Sequence, residues 1–445
     1  MRLAFLALVL MFTSAPTVYA ESDNLTVMSR NLYLGADVGV ALEKIPNFPA
    51  AAQFMWNQVR ATDFTRRAPL LAREIIDSNA DVVGIQEATH WYCQKNLWSR
   101  KVVVYDFLKE FLAATREEGS EYVLASYKGK EALNIGYSIP AIPYLTLVRD
   151  PETFQPLFGS DSAACGFEIG DAIVVKREIA PHVLNVGNSE YEASYSIVPK
   201  IMTIYRGYTW IDLDFAGRRT RIVSTHLESL WDKGKVPNAA LQATQLIDDL
   251  KKTTMPLVVI GDFNSDPRDP RSNSKSNPGG QPESSDTCKA QVASPTIKTA
   301  IDVCSAYWLM RHAGFIDSGP NPLSASNYTW GMNALLTGAD PTRLKSALEM
   351  GNQEGFTDRL DYIFLKNGIQ LISSKVIGNN VAKGAKWPTD HAGIVATIHL
   401  PESRALSDSL DPHDPFPISF WNWVGIALVA LVSGLIYRKR KKNHG

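Results

Sequence analysis

Cysteine is scarce in this chain: 445 residues contain four, at positions 93, 165, 288 and 304, and none form a C-x-x-C pair. That spacing argues against a zinc site built on thiolates. Net charge is also lacking. Lys plus Arg number 45 against 46 Asp plus Glu, so the chain as a whole has none of the basic excess that polyanion binders carry. No internal repeat and no second domain are evident. What remains is a globular composition, 45% hydrophobic and 20% charged, able to build a sizeable core.

Both ends read as addresses. Residues 1–20, MRLAFLALVLMFTSAPTVYA, combine Arg2, an apolar stretch and small residues before a cut ahead of Glu21, the pattern of a signal peptide, with a retained amino-terminal anchor as the alternative. Residues 418–437, ISFWNWVGIALVALVSGLIY, lack charge and match the hydrocarbon thickness that a helix must cross. Trp421 and Trp423 suit the outer interface and RKRKK, 438–442, the cytoplasmic flank. A sorting tail that is later cleaved combines the same features. The expected order is therefore signal peptide 1–20, body 24–400, linker 401–417, transmembrane helix 418–437 and basic cytoplasmic tail 438–445. The body would lie outside the cytoplasm, tethered to the lipid bilayer. There disulfides are the default: the short Cys288–Cys304 spacing favours that bond, leaving Cys93 with Cys165.

Within the body, PLVVIGDFNSDP (256–267) reads as a buried strand from Leu257 to Ile260 that stops abruptly at Gly261, Asp262, Phe263 and Asn264. Other strand-like runs end the same way. ADVVGIQEA finishes at Gln86 and Glu87, RTRIVSTHLES at His226 and Glu228, RLDYIFL carries Asp361, WPTDHAGIVATI has Asp390 and His391 before its strand, and LTVMSRNLYLG has Asn31 after one. One polar group at a strand end is commonly a cap or a turn; a recurring set points to a shared site. TRRAPLLAREIIDSNA and NAALQATQLIDDLKK have helical apolar spacing, and 266–286 reads as a polar surface loop. The apolar segment 132–148, ALNIGYSIPAIPYLTLV, reads as core strands, with a lipid-facing hairpin as the alternative.

Carboxylates and amides are hard oxygen ligands suited to magnesium. Two histidines could act on a charged transition state, each needing a carboxylate to fix its tautomer. The inventory fits metal-assisted hydrolysis of a phosphate ester.

The order SRNLYLG, GIQEA, STHLES, GDFNSDP, RLDYIFL and TDHAG resembles the endonuclease/exonuclease/phosphatase superfamily, over about residues 25–400. The resemblance implies an α/β fold: a four-layer sandwich of two packed, mainly antiparallel sheets flanked by helices, with the site at one end. It implies Mg2+ as cofactor, with Mn2+ as the alternative. By the same resemblance Glu87 is the principal metal ligand, with Asn31 and Asp390 assisting. Asp262 would orient or deprotonate the attacking water, Asn264 would bond phosphate oxygens, and His391, oriented by Asp361, would contact the phosphate. His226 matches the additional histidine of the deoxyribonuclease and sphingomyelinase branches, whereas Glu228 has no certain counterpart and Tyr205 is a candidate for the tyrosine of some branches. The implied partner is a phosphate-ester substrate; the membrane tether and the near-neutral charge place a phospholipid or other small phosphodiester before nucleic acid, and no protein partner is inferable. A membrane-tethered nuclease and a catalytically silent binding module are the alternatives.

Overall fold

The computed structural model describes residues 24–198, 202–229, 238–268, 305–381 and 384–402. Two large sheets dominate. The first has eleven strands, along the path Tyr195–Val198, Met202–Ile204, Leu133–Ile139, Ser162–Lys176, Val82–Gln94, Asn24–Asn31, Gly393–His399 and Gln370–Ile377, with three short strands added to Val82–Gln94 and Ser162–Lys176. The second has six, in the order Val183–Glu190, Gly207–Phe215, Arg218–His226, Leu257–Asp262, Asp361–Lys366 and Ile316–Asp317.

Most neighbours run antiparallel, but among the described residues each sheet holds one parallel pair: Asn24–Asn31 with Val82–Gln94, and Arg218–His226 with Leu257–Asp262. A parallel pair needs a crossover, and helices supply both, Phe48–Thr62 and Phe64–Asp77 in one case and Asn238–Leu250 in the other. These crossovers bring the carboxyl-terminal parts of four strands to one end of the molecule. Asp361–Lys366 and Gly393–His399 run antiparallel to this set and start at that same end.

Side-chain alternation builds the layers, because successive strand residues face opposite sides. Val27, Val82, Ile173, Ile211, Val258 and Ile363 face one another between the sheets. Their neighbours Met28, Val83 and Val174 pack under the helices of the first sheet, and Trp210, Val259 and Phe364 under Asn238–Leu250 and Ala306–His312. Three apolar interfaces thus separate four layers, helices outside and sheets within. The sheets approach so closely at Gly84 that a Cβ there would lie 2.7 Å from Ile260 Cγ2. Beyond that point the inner face turns polar: Ser29 donates to Gln86 Oε1 and Gln86 to Ser224 Oγ, all fully buried.

Cys93 and Cys165, register partners on adjacent strands, form a disulfide. Cys288, Cys304, the signal segment and the 418–437 segment lie outside the described residues, and no described helix is long and apolar enough to cross a membrane. Two expectations need adjustment. Residues 133–139 and 147–149 of the apolar segment are strands, but Tyr144, Leu145 and Leu147 face solvent. The polar loop expected from 266 onward begins in the core, because the buried Asp266 carboxylate accepts from the Arg359 backbone N–H and from Arg268.

Candidate active site

The eight side chains given metal or catalytic roles above meet at the polar end of the sandwich, whereas Tyr205, the candidate tyrosine, is 43% exposed. Asn31 ends its strand, and its amide nitrogen donates to Glu87 Oε1 (3.2 Å) and Asp262 Oδ2 (3.1 Å), while its oxygen accepts from Tyr33 N. Glu87 lies in a bulge between Ile85 and Ala88 and has a φ of 58°. A bulge re-aims a side chain, and here it turns the Glu87 carboxylate to the Leu34 backbone N–H and the Asn31 amide. Asn264 is also left-handed, at φ 45°, a conformation that asparagine tolerates better than most residues. It follows Asp262 in a tight turn, its backbone N–H donating to Asp262 Oδ1 and its amide to Leu227 O.

Asp262 stands between two imidazoles. His226 Nε2 is 3.4 Å from Asp262 Oδ2 and His391 Nε2 is 3.6 Å from the same oxygen. The histidines differ in what holds their other nitrogen. His391 Nδ1 lies 2.9 Å from Asp361 Oδ2, whereas His226 Nδ1 accepts from Arg206 Nη1 at 2.9 Å. Asp390 receives the indole N–H of Trp330.

The electrostatics follow from burial and these neighbours. Burial alone would lower His391, but Asp361, Asp262 and Asp390 outweigh it and hold the imidazolium up to about 10. Burial, then Arg206 and His391, keep His226 well below its usual value, so it is neutral. Burial pushes Asp262 up to about 7 against the pull of His391, and Asp390 up to about 6. His391 therefore stabilises the metal-free fold fully below pH 6.5, and that contribution is lost as pH rises through about 10. In chelator, the melting temperature of the wild type should fall more steeply between pH 7 and 10 than that of His391→Gln. Parallel slopes would contradict the charged His391.

A divalent cation fits this donor set. Glu87, Asp171, Asp262 and Asp361 are buried and Asp390 partly so, with Arg206 and His391 as opposing cations. Asp361 Oδ1 and Asp171 Oδ1 are buried without a hydrogen-bond partner among the described residues. Asp262, Asp361 and His391 each bring a polar atom within 4.8 Å of the others, a trio in which the two carboxylates are available to a cation and His391 is so only once deprotonated. A surplus of buried anionic oxygen of this kind is stabilised by a bound cation.

Several contributors had no signal in the sequence. Asp171 lies on the strand facing the Glu87 bulge, inside an apolar run. Arg206 precedes its strand by one residue and reaches His226 and Glu228. Arg30, fully buried and paired with Glu74, donates to His391 O, and Arg67 donates to Leu32 O, Tyr33 O and Pro388 O, tying together the loops on either side of Glu87 and Asp390.

The Endonuclease/Exonuclease/phosphatase family profile matches residues 55–391. No curated protein matches the chain. Among solved structures it is similar to an endonuclease/exonuclease/phosphatase family protein from Leptotrichia buccalis C-1013-b, at 16% identity and a TM-score of 0.45, covering 84% of this chain and 99% of that one. It is also similar to mannosyl-6-phosphatase Bt3783 of Bacteroides thetaiotaomicron VPI-5482, at 15% identity and a TM-score of 0.42 over 84% and 99% of the two chains. TDP2 from Caenorhabditis elegans is similar at 12% identity and a TM-score of 0.37 over 84% and 74%. The family match runs through the Glu87 bulge, Asp262 and His391 and takes in most of the chain, so this protein belongs to the endonuclease/exonuclease/phosphatase family.

Proposed function

We propose that this member of the family is a divalent-metal-dependent phosphodiesterase, acting outside the cytoplasm on a phospholipid or other small phosphodiester. Endonucleases, exonucleases and phosphatases all hydrolyse phosphate esters, and the reading rests on one observation: Asp262 bracketed by a charged and a neutral imidazole beside Glu87 and Asn31. Asp262, raised by burial to about 7, suits a general base for the attacking water. His391, held by Asp361, and the Asn264 amide, which lies 3.1 Å from His226 Nε2, offer hydrogen bonds to phosphate oxygens. Magnesium, or manganese in its place, held by Glu87 with Asn31 and Asp390, would supply Lewis-acid stabilisation of developing phosphoryl charge. The exported, membrane-tethered setting is supported by the apolar segments at 1–20 and 418–437.

A panel of soluble aryl phosphodiesters, the matching monoesters, phospholipid vesicles and plasmid DNA tests the substrate class. Diesters should turn over faster than monoesters. Deleting residues 418–445 should leave the soluble diester rate unchanged while vesicle turnover falls. Equal degradation of plasmid by both forms, with vesicles untouched, would favour a nuclease instead.

A further inference from the structure

Two strands of the first sheet do not stop at the site. Val82–Gln94 runs on from the Glu87 bulge to Gln94, about 20 Å further at about 3.3 Å per residue. Over that length it pairs with Ser162–Lys176, and the Cys93–Cys165 disulfide pins the overhang. Three segments meet at its tip. Gln94 Nε2 donates to Ala141 O and Lys95 Nζ to Phe158 O, while Ala164 is the register partner of both Gln94 and Leu147. The turn 95–100, the bend 141–147 and the end of the helix Pro151–Phe158 are therefore neighbours. Each turns apolar side chains outward: Leu97 (68% exposed) and Trp98 (94%) on the first, Tyr144 (85%), Leu145 and Leu147 on the second, Leu157 on the third.

This exposure is built in. Asn96 Oδ1 accepts from the backbone N–H groups of Trp98 and Ser99, and Ser99 Oγ accepts from Asn96 N, closing the turn beneath the exposed indole. Tyr144 is left-handed at φ 72°, rare for a bulky residue, in a bend closed by Ile142 O accepting from Leu145 N and Thr146 N. A clustered apolar surface of this kind contributes nothing to the core and marks a contact with something else. Charge indicates what. KNLWSRK, 95–101, carries Lys95, Arg100 and Lys101 and no acidic residue. Lys95 rests on the Phe158 carbonyl and Lys101 over the Tyr92 ring at 4.7 Å, contacts that do not neutralise either cation. Trp, Tyr and Leu rimmed by Lys and Arg is the composition of a membrane–water interface, whereas lysine is depleted where proteins meet. Projecting tips also suit a deformable surface, while a protein would have to supply a matching groove.

We propose that this tip is a lipid-docking ridge: Trp98, Leu97, Tyr144 and Leu147 enter the headgroup region of a bilayer containing anionic lipid, and Arg100 and Lys101 meet its phosphates, at the end of the sandwich that carries the site. Which bilayer is met rests on the exported, tethered reading above; the lipid contact itself does not. The tether is long enough. Gly393–His399 starts at the site end and so delivers the linker 401–417 at the opposite end. Fully extended, at about 3.5 Å per residue, the linker reaches up to about 60 Å, more than the roughly 40 Å of the strand Val82–Gln94.

The form lacking residues 418–445 isolates the ridge from the apolar segment, and the four layers close within the described residues that it keeps. It should float with phosphatidylcholine vesicles that contain phosphatidylglycerol. Trp98→Ser with Tyr144→Ser should weaken that partition by about tenfold or more. Arg100→Gln with Lys101→Gln should weaken it by about fivefold per charge, and have no effect on pure phosphatidylcholine vesicles. Melting temperature and turnover of a soluble diester should stay at the wild-type value in both variants, separating lost docking from a lost fold.

In the full chain reconstituted into vesicles of brominated lipid, the tryptophan emission that Trp98→Phe removes should be quenched relative to unbrominated vesicles. An unquenched Trp98, no flotation of the truncated wild type, or flotation that survives both pairs of changes would each overturn the ridge. A dimer of the truncated form that Trp98→Ser with Tyr144→Ser dissolves, without vesicle binding, would give the surface to a second copy of the chain and overturn the lipid assignment. Docking through the ridge by a protein that hydrolyses no phosphodiester would refute the phosphodiesterase reading and uphold the docking.

Discussion

Asp262→Asn should lower phosphodiester turnover by roughly 10²–10⁴-fold, the range over which a positioned general base contributes. Its stability should change little. The carboxylate is buried, it is raised to about 7, and its ionised form is a burden on the metal-free fold at pH 8, so a neutral isostere removes that burden. Against this, the new amide NH2 faces the Asn31 amide that now donates to Oδ2, a loss of about 1–2 kcal/mol. The expected pattern is thus a large kinetic loss with a near-native melting temperature. Turnover within tenfold of the wild type would mean that the water is activated elsewhere.

Arg67→Met, by contrast, should be severely destabilising. The Arg67 guanidinium is buried among the rings of Phe64, Tyr33 and Phe107 and donates to three backbone carbonyls, of Leu32, Tyr33 and Pro388. Burial pulls it down to about 10, so it remains charged at neutral pH. Methionine fills much of the volume but leaves three carbonyls without their donors, at about 1–3 kcal/mol each. A total loss of about 3–5 kcal/mol is expected, read from the urea midpoint at unchanged m. Turnover should fall as well, because the freed loops carry Leu34, whose N–H holds Glu87, and Asp390 with His391. Lysine should not rescue, since one ammonium cannot span the three acceptors as the planar fork does. A loss below about 1 kcal/mol would show that the clamp is dispensable.

Much of the fold is legible where side chains alternate or end abruptly. The apolar run from Leu257 to Ile260 announces a buried strand, and Asp262 and Asn264 announce its end. Asn31, His226, Asp361 and His391 are visible for the same reason, each breaking an apolar pattern near a strand terminus, whereas Glu87 ends its apolar run but not its strand, which continues through the bulge to Gln94. Asp171 breaks its pattern in mid-strand, where a lone carboxylate looks like a solvent-facing residue of an edge; only pairing with the bulged strand reveals that it is buried beside Glu87. Arg206 and His226 are 20 residues apart in sequence, and their contact depends on how two strands stagger. Arg66 and Arg67 show the limit most sharply. They are neighbours of one type on one helix, and a rotation of about 100° leaves Arg66 in solvent and Arg67 3% exposed, while Leu70 is 40% exposed. Periodicity locates a helix face only approximately when a cation has ring faces and carbonyls to satisfy it.

The most direct measurement is turnover of a soluble phosphodiester by the full chain in excess chelator, then after magnesium is restored, with Asp262→Asn run in parallel. Loss of turnover in chelator, recovery with magnesium, and neither in the variant is the predicted result. Undiminished turnover in chelator, or equal turnover in the Asp262 variant, would contradict a metal-dependent phosphodiesterase centred on Asp262.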